Sequence, residues 1–445
     1  MNNKSQGIRV GILGLGTVAC GVIELLRRNK LEISRRAGQP IFVNGVCAKD
    51  KHKIRSVNLD NIRYYDSAQA LIHSPQIDIV VELIGGCTDA KEYILSALAC
   101  HKPIVTANKA LLAEYGNEIF EKAQAQDGIV GFEATVAGGI PIIKTIREGL
   151  GGNRIQAIAG IINGTSNYIF TKMRDEGCDF KAALAQAKAK GYAEADPTLD
   201  ISGQDAAHKL AILAANAFGI PLKYKAVFCE GIQGIDLIDM VYAKELGYEL
   251  KHLALAKAMK NGLELRVHPT LIPRNHMLAH VDGVMNGVLI QANALGSTLY
   301  YGAGAGSEAT ASAIVADLLD VARMIGAPAS QRVPYLAFYN SVERVLDTIC
   351  PIEEVVSAYY IRLQVEDKPG VLAKITGIFS EHNISIESFM QKQLNTIEYV
   401  PIIIVIQPTM TRDFLKAQKQ IEALESVKGK MVSIRLDNLQ FKGCN

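Results

Sequence analysis

The densest run of chemically capable side chains at fixed spacing lies between Gly191 and Lys209. Gly191-Tyr192-Ala193-Glu194-Ala195-Asp196-Pro197-Thr198-Leu199-Asp200 reads as an acidic, turn-rich loop, and Ile201-Ser202-Gly203-Gln204-Asp205-Ala206-Ala207-His208-Lys209 follows it. Ser202 can cap a helix, with Asp205 three residues on. Asp205 and Lys209 are then one turn apart on one helix face. An aspartate beside a lysine, with Glu194 and Asp200 close in sequence, can bind an amino-acid zwitterion and hold a proton donor. The same spacing also describes a capping aspartate with a surface ion pair, and spacing alone favours that plainer account.

A second constellation stands near the start of the chain. Gly14-Leu15-Gly16-Thr17-Val18-Ala19 follows a short apolar run and opens a helical one. This is the G-x-G-x-x-G/A fingerprint of a dinucleotide site. Gly14 permits the tight turn, and Gly16 lets backbone approach a pyrophosphate resting on the helix N-terminus. Ala19 keeps helix and strand close. A glycine turn before an ordinary helix is the bland alternative. The next strand ends Val46-Cys47-Ala48-Lys49-Asp50, where an NAD site would favour an acid for the ribose hydroxyl. Lys49 comes first, with Lys51, Lys53 and Arg55 behind it. That order favours a 2′-phosphate, hence NADP(H), while Asp50 leaves NAD(H) open; solvated surface lysines are the other reading.

These groups need a frame. Strands are expected at Ile8–Leu13, Ile41–Ala48, Ile77–Leu83, Pro103–Thr106 and Ile129–Phe132, alternating with helices such as Val18–Asn29, Ala90–His101 and Lys109–Gln126. Such alternation argues a parallel sheet covered on both faces. From about 135 to 305 the expected strands are Ile155–Ile162 and Val284–Ala292, among long helices. One helix starts near Ser202 and stops at Gly219-Ile220-Pro221. The run Tyr301-Gly302-Ala303-Gly304-Ala305-Gly306 leads into a helix over about Thr310 to Ile325. After Pro328 and a helical connector, Tyr360–Gln364, Val371–Glu381, Ile384–Gln391, Glu398–Gln407, Arg412–Ser426 and Met431–Leu436 read β-α-β-β-α-β, a ferredoxin-like sandwich.

The bulk properties set limits. A chain of 445 residues, 49% apolar and 21% charged, is long enough for two or three buried cores. A net charge of +2 points away from nucleic acid and anionic membranes. No apolar run reaches the roughly 20 residues that span a bilayer, and Met1 to Gly7 is polar, unlike a signal segment. Cysteines 20, 47, 87, 100, 178, 229, 350 and 444 are scattered without CxxC pairs, so neither a disulfide framework nor a zinc site is expected. The cytoplasm is the expected compartment.

The run from Ala187 through Gly191, Asp196-Pro197, Asp200, Gly203 and Asp205 to Lys209 resembles the homoserine dehydrogenase signature at every fixed place. So do Gly14 to Val18, Glu82-Leu83-Ile84-Gly85-Gly86, Thr106-Ala107-Asn108-Lys109-Ala110, Glu133-Ala134-Thr135-Val136 and Asn163-Gly164-Thr165-Ser166-Asn167-Tyr168. Ala19-Cys20 departs from the glycine usual after Val18.

The resemblance implies reversible NAD(P)H-dependent reduction of L-aspartate 4-semialdehyde to L-homoserine, in threonine, methionine and isoleucine biosynthesis. Lys209 matches the proton donor and Lys109 a second lysine near the nicotinamide and the reacting carbon. Asp205 matches an aspartate needed for hydride transfer, while Glu194 and Asp200 match substrate-site carboxylates. Gly14, Leu15, Gly16, Thr17, Val18, Lys49, Gly85, Lys109 and Gly306 make the implied cofactor set. Glu133 with Val136, Gly138 and Ile140 matches a monovalent cation site, expected to hold sodium. Two lysines close together near apolar surface should each lose basicity.

At the C-terminal end, Val365-Glu366-Asp367-Lys368-Pro369-Gly370-Val371-Leu372 and Asn383-Ile384-Ser385-Ile386 resemble an ACT domain, a module that senses amino acids. A pathway product, threonine by expectation, would bind at Asp367, Gly370, Val371 and Leu372 and lower activity; a purely structural role is the alternative. The resulting α/β architecture is a Rossmann dinucleotide-binding domain over 1–134 and about 306–327, an α+β catalytic and dimerisation domain over 135–305, a linker over 328–357 and a ferredoxin-like ACT domain over 358–437. A homodimer or tetramer is implied. With the first strand beginning at Ile8, no room is expected for a fused aspartate kinase. Another NADP-dependent amino-acid dehydrogenase and a non-catalytic amino-acid sensor are the competing functions.

Overall fold

The computed structural model describes residues 7–51, 53–260, 262–339, 348–391 and 399–441. Its first sheet is parallel, built from β1 (Ile8–Leu13), β2 (Ile41–Cys47), β3 (Arg63–Tyr64), β4 (Ile79–Glu82), β5 (Ile104–Thr106) and β6 (Val130–Gly131), in the order β3-β2-β1-β4-β5-β6. β1 is central and buried on both faces, so its residues are apolar almost without alternation. Arg9 is its polar exception, and it forks onto Asp78 at 2.7 and 2.9 Å.

Both faces of this sheet carry a core. Ile94, Leu98, Leu111, Ile119 and Phe120 pack on one side. On the other, Val22, Ile23 and Leu26 of the helix Thr17–Arg28 meet Ile314, Leu318 and Val321 of the helix Ser307–Met324. The chain thus returns to its first sheet after visiting the second. That return depends on Gly21, whose Cβ would sit 2.4 Å from the Ser307 hydroxyl and 2.9 Å from the Ser307 carbonyl. Gly21, two residues beyond the fingerprint, supplies the close helix contact.

The second sheet has ten strands. β7 (Ile155–Ile161), β8 (Phe228–Cys229), β9 (Tyr248–Met259), β10 (Gly262–Pro273), β11 (Met285–Ala292) and β12 (Gly296–Ala303) come from the middle of the chain. β13 (Val356–Glu366), β14 (Ile386–Gln391), β15 (Tyr399–Met410) and β16 (Val427–Leu436) come from the end. The order is β12-β11-β7-β9-β10-β16-β13-β15-β14, with β8 on β10. The terminal β-α-β-β-α-β unit is therefore continuous with the middle sheet. β10 and β16 run parallel, pairing Thr270 with Arg435 and Leu271 with Leu436. Its helices Val371–Glu381 and Thr411–Glu422 cover one face, setting Phe379, Phe414 and Ile421 in one core with Ile361, Leu363 and Ile404 of the strands. Tyr360, Ile403 and Ile434 on the other face pack against Met240 and Ala243 of the middle region.

Some expectations need correction. The run Ile129–Phe132 contributes only Val130–Gly131 as strand. Long strands β9 and β10 stand where none was read. β10 is buried almost throughout and β9 from Leu250 to Ala256, which removes alternation, and Leu253-Ala254-Leu255-Ala256-Lys257-Ala258 is a helix-favouring composition overridden by antiparallel pairing. Ser202 does not cap the helix that carries Lys209; Gly203, at φ +87°, does. The connector holds short turns at Ala329–Gln331 and Ile352–Glu354. Its expected helix falls partly on 340–347, and Glu398 and Cys444 likewise lie outside the described residues. Among the described residues, no helix is long and apolar enough to cross a membrane.

Gly21→Val should force the two helices apart. Overpacking of this kind costs about 1–3 kcal/mol, expected as a lowered thermal midpoint; an unchanged midpoint would show that the contact yields freely.

Candidate functional site

The strand order of the first sheet reverses between β1 and β4, and the crevice outside the carboxyl ends of those strands is where such sheets take dinucleotides. Two glycine turns line it. Gly14, at φ +90°, lies so close to β4 that a Cβ would meet the Leu83 carbonyl at 2.5 Å. A Cβ on Gly16, Gly85 or Gly86 would meet nothing within 4 Å, so bare backbone borders open space there. That is the shape a pyrophosphate on a helix N-terminus requires.

Beyond β2, Lys49 is exposed and Arg55 donates to the Leu15 carbonyl at 3.3 Å, joining the basic segment to the glycine loop. One Asp50 carboxylate oxygen accepts from the Lys53 amide at 3.1 Å, within its own turn. Gly306, at φ +115°, caps the helix Ser307–Met324.

The reactive cluster forms where three elements meet. The helix Gln204–Phe218 is buried along nearly its whole length because Ala, Leu and Ile surround its polar start. Its first turn carries Asp205, a position that the helix dipole favours for an anion. Lys209 lies one turn on and donates to Asp205 Oδ2 at 2.7 Å and to the Ile162 carbonyl at 2.7 Å. Lys109 begins another helix, Lys109–Ala125, and its Nζ stands 2.9 Å from Asp205 Oδ1. One carboxylate thus bridges two ammonium groups. The side chains of Lys209 and Asp205 are only 10% and 8% exposed, and that of Lys109 is 41% exposed.

Burial raises the Asp205 carboxyl, but Lys209 and Lys109 outweigh it and hold the group well below the usual range. Burial lowers Lys209, with Asp205 opposing and Lys109 adding to the fall. Lys109 moves the other way: the charge of Asp205 raises it. The expected loss of basicity at both lysines therefore holds for Lys209 alone. Burial raises the Asp200 carboxyl, against its hydrogen bond from Asn163. Glu194 is exposed on the loop before it, and its charge reaches Lys109.

Asn163 was not singled out by the sequence. Its amide donates to Asp200 Oδ1 at 2.7 Å and to Asp205 Oδ2 at 2.9 Å, while its oxygen accepts from the Ser166 amide at 2.8 Å. The available signal was Asn163 as a helix cap after a strand. Beneath it, His252 joins the Ser166 hydroxyl at 3.3 Å to the Glu230 carbonyl at 3.0 Å. Arg435 of β16 reaches the Glu230 carboxylate at 3.2 Å.

The Glu133 carboxylate is tied to the backbone through both of its oxygens. It accepts from the amides of Ile143 and Lys144 at 2.8 Å each and so closes the start of the following helical turns. Ala137 and Gly138 both have positive φ, +54° and +49°. Among the described residues no hydrogen bond is directed at the buried carbonyls of Val136 or Gly138, while Ile140 accepts from Ile142 at 2.7 Å. No group of three or more His, Cys, Asp or Glu is placed to hold a metal ion among the described residues.

Gly370, at φ +89°, opens the helix Val371–Glu381. Asp367 and Leu372 are exposed and Val371 is buried beside it.

Comparisons with known proteins agree along the chain. Residues 14–133 match the homoserine dehydrogenase NAD binding domain, 141–319 homoserine dehydrogenase, and 359–423 the ACT domain. A homoserine dehydrogenase of Pseudomonas aeruginosa is 50% identical, covering 97% of this chain and 99% of that protein. One of Neisseria gonorrhoeae is 48% identical with the same coverage. The crystal structure of a homoserine dehydrogenase from Thiobacillus denitrificans superposes with a TM-score of 0.92 at 51% identity, covering 97% of this chain and 99% of that one. A hyperthermophilic archaeal homoserine dehydrogenase in complex with NADPH gives 0.60 at 26% identity, covering 72% and 98%.

The bridging carboxylate should also govern stability. Asp205→Asn leaves two ammonium groups facing each other, a loss of about 3–5 kcal/mol for an interrupted buried pair. The carboxyl is depressed on folding, so its contribution is whole above its unfolded pKa of about 4 and fades as pH falls towards the folded value. Denaturant unfolding should show the gap between variant and wild type narrowing below about pH 4; a constant gap would separate Asp205 from this balance.

Proposed function

The chain belongs to the homoserine dehydrogenase family of NAD(P)-dependent oxidoreductases acting on a CH–OH group, and on that premise we propose how its residues divide the reduction of aspartate semialdehyde to homoserine. Lys209 is the proton donor. Negative charge grows on the aldehyde oxygen as the carbon is reduced, and an ammonium beside it both stabilises that charge and gives up a proton. Burial makes Lys209 a readier donor than a surface lysine. Asp205 keeps it protonated and aimed, and the two-lysine bridge on Asp205 is the observation that carries this reading. Lys109 stays cationic and anchors the nicotinamide side of the crevice. Glu194 and Asp200 receive the substrate ammonium group, with Asn163 orienting Asp200.

Gly14, Leu15, Gly16, Thr17, Val18, Gly85 and Gly306 would hold the dinucleotide, whose contribution when bound is the hydride. NADP(H) is the preferred form. Asp50 is turned onto its own loop, and the exposed Lys49 heads a basic segment that Arg55 ties to the glycine loop, cations of the kind a 2′-phosphate would need. A sodium ion would be held at Glu133 with the backbone carbonyls of Val136, Gly138 and Ile140; the carbonyls of Val136 and Gly138, which accept no hydrogen bond among the described residues, support that reading.

The ACT domain binds threonine at Asp367, Gly370, Val371 and Leu372 and lowers activity, and the chains assemble as a homodimer or larger. The edge strand β12, with Tyr301 exposed, is one surface open to a second copy. The cytoplasm suits the free cysteines of the described residues.

Lys209→Ala should lower kcat by about 10²–10⁴-fold while NADPH fluorescence still reports binding. Near-normal turnover in that variant removes Lys209 from the chemistry. The wild-type assay is the decay of NADPH absorbance with aspartate semialdehyde; NADH should serve less well. Threonine should slow the reaction and release heat on titration into the full-length protein. Neither heat nor inhibition would leave the ACT domain a structural part only.

A further inference from the structure

One fully buried carboxylate in the first sheet has no ionic partner and no role so far. Glu82 ends β4, directly opposite Thr106 at the end of β5, and it has no exposed surface. Among the described residues no cation lies within ion-pair distance of it. Its two oxygens serve two different loops. Oε1 accepts from the Ile84 amide at 2.9 Å, at the root of the Gly85-Gly86 turn. Oε2 accepts from the Thr106 hydroxyl at 2.7 Å.

The contacts continue from there. The Thr106 oxygen accepts from the Asn108 amide at 3.0 Å, and the Asn108 side chain donates to the Gly86 carbonyl at 2.6 Å. The Asn108 oxygen accepts from the Leu111 amide at 3.2 Å and caps the helix that begins with Lys109. The ring closes through Glu82: cofactor turn, carboxylate, hydroxyl, helix cap and back to the cofactor turn.

We propose that Glu82 is a positioning residue for hydride transfer, holding the Gly85 turn and Lys109 in one fixed relation along the β4–β5 side of the crevice. This rests on the reading of that crevice as the cofactor site. The residue type matters because a carboxylate only accepts hydrogen bonds. Facing it, Thr106 must donate its proton, which aims a lone pair of the hydroxyl at the Asn108 amide. A plain structural tie between β4 and β5 would not need an uncompensated carboxylate. The burial that raises its basicity is a cost the site carries for an acceptor with no donor of its own.

Glu82→Gln keeps the shape and reverses one polarity. With its carbonyl turned to Ile84, the new amide points its protons at Thr106, whose own proton loses its acceptor. The expected result is a rise of about tenfold in the KM for NADPH and a fall of similar size in kcat, as expected for a sub-ångström shift of reacting groups. The KM for aspartate semialdehyde should change less, because Glu194 and Asp200 stand on another loop. Thr106→Val should copy this pattern and Thr106→Ser should restore it, which also decides the matter if the Gln variant fails to fold. Wild-type KM for NADPH and wild-type kcat in both Glu82→Gln and Thr106→Val, whatever their melting temperatures, overturn the proposal. Gly16→Val is the control for the underlying reading, since the added side chain meets only open space in the protein. If it leaves NADPH binding intact, the crevice is not the cofactor site. If it abolishes binding while the other two variants behave as wild type, the positioning role alone falls.

Discussion

Two ammonium groups, one buried and one half-exposed, cannot stand this close together unless an anion lies between them, and the buried Asp205 is that anion. Each of its oxygens takes one lysine, at 2.7 and 2.9 Å. Much of the architecture follows from keeping this arrangement aligned and its Asp205–Lys209 half buried. The helix that carries Asp205 and Lys209 has to be buried, so it is built of alanine, leucine and isoleucine beyond its first turn. Lys109 has to arrive from the dinucleotide sheet, so that sheet and the middle region must meet at one fixed angle. The return of the helix Ser307–Met324 onto the helix Thr17–Arg28 helps to set that angle. Asn163 completes the arrangement by offering one amide group to two carboxylates that would otherwise repel each other.

Much of this could be read from residue order because the signals are local. Gly14-Leu15-Gly16 after an apolar strand, the stop at Gly219, and the four-residue step from Asp205 to Lys209 all express backbone geometry within one or two turns. The helix Val371–Glu381 was bounded correctly for the same reason. What escaped depends on partners distant in sequence. β9 and β10 look helical until each supplies the other's hydrogen bonds. Asn163 looks like an ordinary cap until Asp200 and Asp205 fold onto it. The opposite shifts of Lys109 and Lys209 follow from unequal burial around a shared carboxylate, which spacing does not encode. The engagement of the Glu133 carboxylate by two amides likewise depends on where the next turn folds.

The ACT domain is joined to the lysine–aspartate cluster by more than a connector. Arg362 of β13 forks onto Asp239, which is fully buried, and also reaches Asp236 at 2.6 Å. Arg435 of β16 holds Glu230, whose carbonyl holds His252, which in turn meets Ser166 beside Asn163. Burial pushes His252 down to about 4, so it stays neutral at ordinary pH and keeps one nitrogen as donor and the other as acceptor along this series. Physical contact of this kind is a route by which strain at β16 can reach the carboxylates, although contiguity by itself is not coupling.

The parallel join of β10 to β16 has one more consequence. β10 is long and rich in apolar side chains, and its outer side is shared between β8 at Arg266 and Val267 and β16 at Thr270 and Leu271. A strand of that kind, stripped of its neighbour, presents bare amides and carbonyls that template aggregation. Removal of the last domain would uncover the β10 edge at Thr270 and Leu271 in the body that remains. The C-terminal strand thus covers part of an edge of the middle sheet as well as completing its own unit.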